Sequence, residues 1–196
     1  MLKTIAGLIK PISGTISISG KSETFPKKIF SQTRLKKYFQ SIRKRGFLGY
    51  IPQNLGLVRH ATVMHNVMLG SNAGHKKYWT PIPSFQAKEA GIEAIKSLGI
   101  SDYKYQIIRK LSGGQKRRVA TARTLAQKPK LILADEFLSE LDELTKHRVK
   151  NAVLSYISDN NASIIIVEHD IDRARKMSDR LFQISDGKLV ELKGEI

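Results

Sequence analysis

The second half of the chain predicts an α/β fold, a parallel sheet flanked by helices. Three observations carry that prediction. Leu131-Ile-Leu-Ala134 is too apolar to face water on either side, and Ser163-Ile-Ile-Ile-Val167 is a short β-branched run; both patterns belong to strands of a covered parallel sheet. Between them, Val149, Ala152, Val153, Tyr156 and Ile157 fall at i, i+3, i+4, i+7 and i+8, one apolar stripe along a helix. Strand, helix and strand in that order form the unit from which helix-covered parallel sheets are built.

The elements can be taken from the start. Met1 to Leu8 suits a helix, stopped by Lys10-Pro11 and Ser13-Gly14. Thr15 to Ser19 alternates Ile16 and Ile18 with hydroxyl residues, a short strand with one buried face, turned by Gly20. Pro26 breaks the next segment, and Leu35, Tyr38, Phe39 and Ile42 then mark the apolar side of a helix whose other side carries Arg34, Lys36, Lys37 and Arg43. Phe47 to Pro52 reads as a buried strand with Gln53 just beyond it. Thr62 to Leu69 suits a short helix, and Gly70 to Phe85, which includes Trp79, a loop. Gln86 to Leu98 is helical with Gly99 as its stop. Asn160-Asn161 ends the long helix, Ile171, Ala174 and Met177 mark a further one, and Leu181–Ile184 with Leu189–Leu192 form a hairpin around Asp186-Gly187.

Composition narrows the chemistry. With 196 residues, 41% hydrophobic and 26% charged, the chain can build one sizeable core. It has no Cys, which excludes disulfides, thiolate metal sites and thiol catalysis and fits a reducing compartment. No apolar run is long enough to span a bilayer as a helix. The formal net charge of +17 predicts attraction to an anionic surface, whether nucleic acid, lipid headgroups or an acidic partner. Nine Lys or Arg lie between Lys21 and Arg45 against the single Glu23, but aromatic side chains do not interleave with them as stacking platforms would.

Chemistry concentrates between Leu111 and Asp142. Ser112-Gly113-Gly114-Gln115 is a capping box, Ser at the N-cap and Gln three residues on. The two glycines leave backbone N–H groups open to close approach by a phosphate. Lys116, Arg117 and Arg118 follow in the first turn, where cations oppose the helix dipole. Their alternatives are an anion bound at the helix end or a plain solvated basic face. Asp135 stands at the exit of the Leu131–Ala134 strand, where open α/β sheets place ligands. Glu136 follows at once, and His169 ends the neighbouring strand in the same way.

The order of these pieces resembles the ATP-binding subunit of ABC transporters over essentially the whole chain. The motifs are Gln53 after a strand, Leu-Ser-Gly-Gly-Gln at 111–115, Leu-Ala-Asp-Glu at 133–136, Ser-Glu-Leu-Asp at 139–142 and Glu-His-Asp at 168–170. The resemblance implies a P-loop NTPase-like parallel sheet and a single ABC ATPase domain over 1–196, with a helical subdomain at roughly 60–125. It implies ATP and Mg²⁺ as cofactors, with Asp135 and Gln53 at the metal, Glu136 as catalytic base and His169 near the γ-phosphate. Ser112, Gly113, Gly114 and Gln115 become the signature that meets the nucleotide of a second ATPase subunit, and Asp142 the D-loop aspartate. Phe137 stands where a proline is usual and Glu140 where a small residue is usual, and neither change removes a catalytic group. Transmembrane permease subunits, a solute-binding protein acting indirectly, and a peripheral place on the cytoplasmic side of the membrane follow as expectations.

One piece of the pattern is not found. G-x-x-x-x-G-K-[ST] has its nearest approach at Gly20-Lys21-Ser22, but the required first glycine would fall at Thr15, and Gly14 is one place early. The resemblance sets Met1–Leu8 on the helix just after that loop, so the expectation is a chain incomplete at its N-terminus. Val58 to Val67, Tyr78-Trp79, Ala94 to Gly99 and Tyr105-Gln106 resemble phosphonate importers in particular. The leading expectation is therefore an ATPase powering import of a small solute, an anion such as a phosphonate. A degenerate subunit lending its signature to a partner's ATP site is the alternative. A nucleic-acid-associated ABC ATPase ranks last, because neither tandem cassettes nor a heptad coiled coil occurs.

Overall fold

A computed structural model describes residues 1–18, 21–25, 46–75 and 83–192. Helix α1 (Leu2–Ile5) is a single turn, shorter than the predicted run to Leu8, because Gly7 takes a left-handed φ of 70° and ends it. Strand β1 (Gly14–Ile18) pairs antiparallel with β2 (Lys21–Phe25), Gly14 opposite Phe25. Its alternation is kept: Ile16 and Ile18 are half-buried while Thr15 and Ser17 are exposed. The turn at Gly20, the break at Pro26, the basic helix through Leu35 and Ile42, and Trp79 lie outside the described residues.

Strand β3 (Leu48–Ile51) is followed by α2 (Val63–Gly74), whose N-cap Thr62 accepts a hydrogen bond from the His65 amide. The predicted loop beginning at Gly70 is corrected here, since the helix continues through Gly74. Helix α3 (Phe85–Ser97) starts at the Ser84 cap and gives way at Gly99, φ 60°. Helix α4 (Gly113–Ala126) then crosses α2 closely. A Cβ at Gly70 would fall 1.9 Å from the Arg123 carbonyl oxygen, and one at Gly74 would fall 2.0 Å from that of Gln127. Read as loop residues in sequence, these glycines are what lets two helix backbones touch.

Strand β4 (Leu131–Asp135), α5 (Glu143–Asn160), β5 (Ser163–Val167) and α6 (Ile171–Arg175) complete the alternation. Asn161, φ 47°, closes α5 in the left-handed conformation. The hairpin of β6 (Phe182–Ser185) and β7 (Lys188–Glu191) turns through Asp186 and Gly187, both at positive φ as a two-residue turn of this kind demands.

Strands β3, β4 and β5 form one parallel sheet in that order, with Ile51 beside Ala134 and Asp135 beside Val167. The two faces of β4 serve two apolar clusters. Ile132 and Ala134 join Ile51, Leu98, Val119, Phe137, Val149 and others beneath the helical layer. Leu133 joins Leu48, Leu2 and Ala6 on the opposite side, where α1 is the cover. The predicted α/β architecture of helices on a parallel sheet is thus present, and it brings the carboxyl ends of three adjacent strands to one edge. Among the described residues, no helix is long and apolar enough to cross a membrane.

Candidate functional site

The carboxyl ends of β3, β4 and β5 deliver Gln53, Glu136 and His169 to one point. Glu136 Oε1 lies 2.6 Å from His169 Nε2 and accepts a longer hydrogen bond, 3.4 Å, from Gln53 Nε2. These residues are 83 and 33 positions apart in sequence, and strand register alone makes them neighbours. The Glu136 carboxylate is 19% exposed and the imidazole 81%, so the pair opens to solvent on the histidine side. Backbone geometry aims the carboxylate. Glu136 holds φ at 50°, a conformation that costs a non-glycine residue about 1–2 kcal/mol. Its amide still donates to Val167 O at 3.1 Å, continuing the sheet for one more residue.

Asp135 ends β4 beside the half-buried Tyr50. Burial first, and then the Asp135 carboxylate, push the Tyr50 hydroxyl above its ordinary range, so the phenol stays protonated. Behind His169, the Glu168 side chain is 6% exposed. Burial raises its carboxyl group, with Arg173 pulling the other way and Glu136 adding to the rise. Glu168 Oε2 accepts from Arg173 Nη1 at 3.4 Å, while Oε1 is buried with no hydrogen-bond partner among the described residues.

At the start of α4 the capping box is complete. Ser112 Oγ accepts from the Gln115 amide at 3.2 Å, and Gln115 Oε1 accepts from the Ser112 amide at 2.9 Å. Ser112 and Gly113 are exposed, and the first amides of a helix have no intrahelical acceptor, so this end can take an anion. The glycines have a second use: a Cβ on Gly114 would press within 3.2 Å of Leu141 Cδ2, and one on Gly113 would lie 3.4 Å from Glu140 Oε2. Asp142 caps α5, accepting from the Thr145 amide at 2.9 Å, and that bond holds its carboxyl below the usual range. Ser112 to Gln115 and Asp142 share none of the hydrogen bonds of the Gln53–Glu136–His169 cluster among the described residues.

Of the three arginines of α4, Arg117 and Arg118 read in sequence as a solvated basic face or a lining for an anion, and Arg123 is not singled out there. Arg117 is buried, 2% exposed, and donates to the Glu136 carbonyl at 2.9 Å. Arg118 reaches back to Gly99 O at 3.0 Å and to the Tyr103 hydroxyl at 2.9 Å, capping the end of α3. Arg123, lowered by burial, donates to Gly56 O at 2.6 Å and Leu55 O at 2.7 Å, and so holds the loop after Gln53, where both acceptor residues have positive φ. The missed signal is periodic. Arg117 stands at i relative to Ala120, Thr121, Thr124 and Leu125, all buried, so it lies on the inward stripe.

The donor set suits a hard cation held jointly with phosphate. Asp135 at the strand exit and the Gln53 side-chain amide offer oxygen donors of the kind Mg²⁺ takes, an ion that binds one or two carboxylates and completes its shell with water and substrate oxygens. Among the described residues there is no group of three or more His, Cys, Asp or Glu placed to hold a metal ion.

Comparison with known proteins bears on the family and the fold. The family described as ABC transporter matches residues 1–139. The Phosphonates import ATP-binding protein PhnC 3 of Nostoc sp. is 31% identical over 192 residues, 97% of this chain and 69% of that one. A protein of the same description from Halalkalibacterium halodurans is 33% identical over 193 residues, 97% and 70%. The Hypophosphite import ATP-binding protein HtxD of Stutzerimonas stutzeri is 37% identical over 149 residues, 74% of this chain and 43% of that one. The chain thus spans under half of the hypophosphite relative's length and about 70% of each phosphonate relative's. Among solved structures, the ATP-binding cassette MJ0796, a dimer in a post-hydrolysis state bound to ADP and Pi, superposes with a TM-score of 0.79 at 26% identity, covering 100% of this chain and 80% of that one. With the family pattern on 139 residues and the cassette fold across the chain, the protein belongs to the ABC transporter family as an ATP-binding domain.

Proposed function

We propose that the chain is the ATP-hydrolysing subunit of an importer for a small phosphorus oxyanion of the phosphonate or hypophosphite kind. The observation that carries hydrolysis is the Glu136 carboxylate, held by His169 at 2.6 Å and Gln53 at 3.4 Å where three parallel strands end. In this reading Glu136 takes the proton of the attacking water, and His169 orients that carboxylate and lies ready for the terminal phosphate. Asp135 and Gln53 hold Mg²⁺, which offsets phosphate charge when bound. Ser112, Gly113, Gly114 and Gln115 serve the nucleotide of a second ATPase subunit, and Asp142 belongs to the same interface. The relatives that serve phosphonate and hypophosphite import support the substrate class. Permease subunits would anchor the domain at the cytoplasmic side of the membrane, with a solute-binding protein choosing the anion. Residues 1–196 act as one domain, with α2, α3 and α4 supplying the helical subdomain.

Assay of ATP turnover by the assembled transporter tests this. Glu136→Gln should lower kcat by roughly 10²–10⁴-fold, the scale of a general base, with KM for ATP little changed. Turnover retained in that variant would overturn the assignment. Stimulation by a phosphonate, with none by an amino acid or sugar, is the result expected for the substrate class.

A further inference from the structure

Arg117 is built into the turn that carries Glu136. Its Nη1 donates to the Glu136 carbonyl at 2.9 Å, and its Nη2 lies 3.7 Å from Glu140 Oε2, an ion pair rather than a hydrogen bond. One guanidinium therefore spans the stretch from Glu136 to Glu140, and both end residues hold left-handed backbone, φ 50° and 61°. Ser139 adds its amide at 3.1 Å and its hydroxyl at 2.9 Å to the same Glu136 carbonyl. Three donors thus converge on one oxygen with two lone pairs, which fixes the orientation of that peptide.

Burial of the cation is costly for stability. The Arg117 side chain is 3% exposed and its Nε has no hydrogen-bond partner among the described residues, while Glu140 is 70% exposed. An apolar side chain of similar volume would spare that desolvation. What the arginine supplies is geometry. Its far end holds the backbone from which the Glu136 carboxylate projects, and its near end is α4, one turn from Gly113 and Gly114. Glu140 lies between, its Oε2 facing both Arg117 and Gly113.

We propose that Arg117 is a positioning residue that couples the N-terminus of α4 to the carboxylate of Glu136. Engagement of a phosphate by the first amides of α4 moves the helix end, and Arg117 passes that movement to the peptide of Glu136. Occupancy at the signature thereby sets the aim of the base within the same chain. The functional half of this proposal rests on the general-base reading of Glu136, whereas the clamp itself does not.

Amide hydrogen exchange followed by NMR on the full chain tests the clamp without nucleotide. The Ser139 amide, bonded to the Glu136 carbonyl, is the reporter, and amides within β4 report the fold. Arg117→Met should speed Ser139 exchange roughly tenfold relative to β4, the scale of losing one charge-assisted hydrogen bond that orders the turn. Arg117→Lys should restore part of the protection, and Glu140→Gln should loosen the turn by a smaller factor. A folded Arg117→Met chain with Ser139 exchange unchanged overturns the proposal. Should that variant fail to fold, Arg117→Lys and Glu140→Gln decide, and both at the wild-type rate overturn it equally. In the assembled transporter, Arg117→Met should lower kcat with KM for ATP unchanged. Turnover that survives Glu136→Gln instead sinks the general-base reading and leaves the exchange measurement to judge the clamp.

Discussion

Glu168 carries a charge that its buried position opposes. Its carboxyl is pushed up by burial, beside Arg173 and within reach of the Glu136 charge, and one of its oxygens is unpartnered among the described residues. A carboxyl raised above its unfolded value of 4.5 binds its proton more tightly in the folded chain. Stability is therefore favoured below the folded pKa and falls as pH rises through it. Glu168→Gln removes the charge and keeps the shape. Denaturant titration should find the variant more stable than wild type at about pH 8, with the gain shrinking as pH falls toward 4.5. An equal or lower midpoint at high pH would mean that Arg173 already offsets the burial. The two departures from the family pattern at positions 137 and 140 also resolve at this scale. Phe137 is fully buried in the main cluster, and Glu140 faces Arg117.

Among the elements, α4 is the organising piece, and it was only half legible in sequence. Its capping box is a local device, two residues three positions apart reaching one another, and short-range chemistry is what a sequence displays best. The apolar strands and the stripe from Val149 to Ile157 were legible for the same reason, because periodicity records which side is buried. Gly70 and Gly74 were not, because a glycine signals a loop and a helix contact with the same letter. Nothing local separates the two until the partner backbone is known. The arginines failed likewise: charge reads as solvent exposure, whereas Arg117 and Arg118 each bond a carbonyl distant in sequence, as does Arg123, which no local pattern marks. Gln53, Glu136 and His169 lay in between: the local pattern marks each only as lying just past a strand, the resemblance supplies their expected roles, and their meeting depends on strand order. The helix contact can be tested directly. Gly70→Ala should destabilise the chain by about 1–3 kcal/mol, since the added methyl meets backbone that must shift, despite alanine's better helix propensity. Gly187→Ala, where the added methyl has open space, is the control for general glycine effects; its cost should come from φ 72° alone. A Gly70→Ala chain as stable as wild type in urea would show that α2 and α4 can separate without loss.

Across the whole molecule, the two sides of the sheet are covered unequally, and β4 joins them. Beneath the helical layer lies the larger cluster, with Ile132 and Ala134 at its floor. On the other side Leu133 and Leu48 meet Leu2 and Ala6 from one short turn of helix. Because successive residues of β4 point to opposite sides, neither cluster can open without disturbing the strand that carries Asp135 and Glu136. Leu2 is the deepest residue of α1, 4% exposed. Leu2→Ala should therefore cost about 2–5 kcal/mol, a core-sized loss, although the residue stands at the beginning of the chain. The loss should appear in a single unfolding transition, measured together by far-UV circular dichroism and by amide exchange at β3 and β5. If α1 were instead an independent flap, two transitions would separate, and exchange at β5 would stay at its wild-type rate in the variant. The single transition is expected because Leu133 in the centre of β4 is fully buried on the α1 side while Ile132 and Ala134 are fully buried on the other. A strand closed on both sides transmits the loosening of either to the residues at its end, and in this domain those residues are the catalytic candidates.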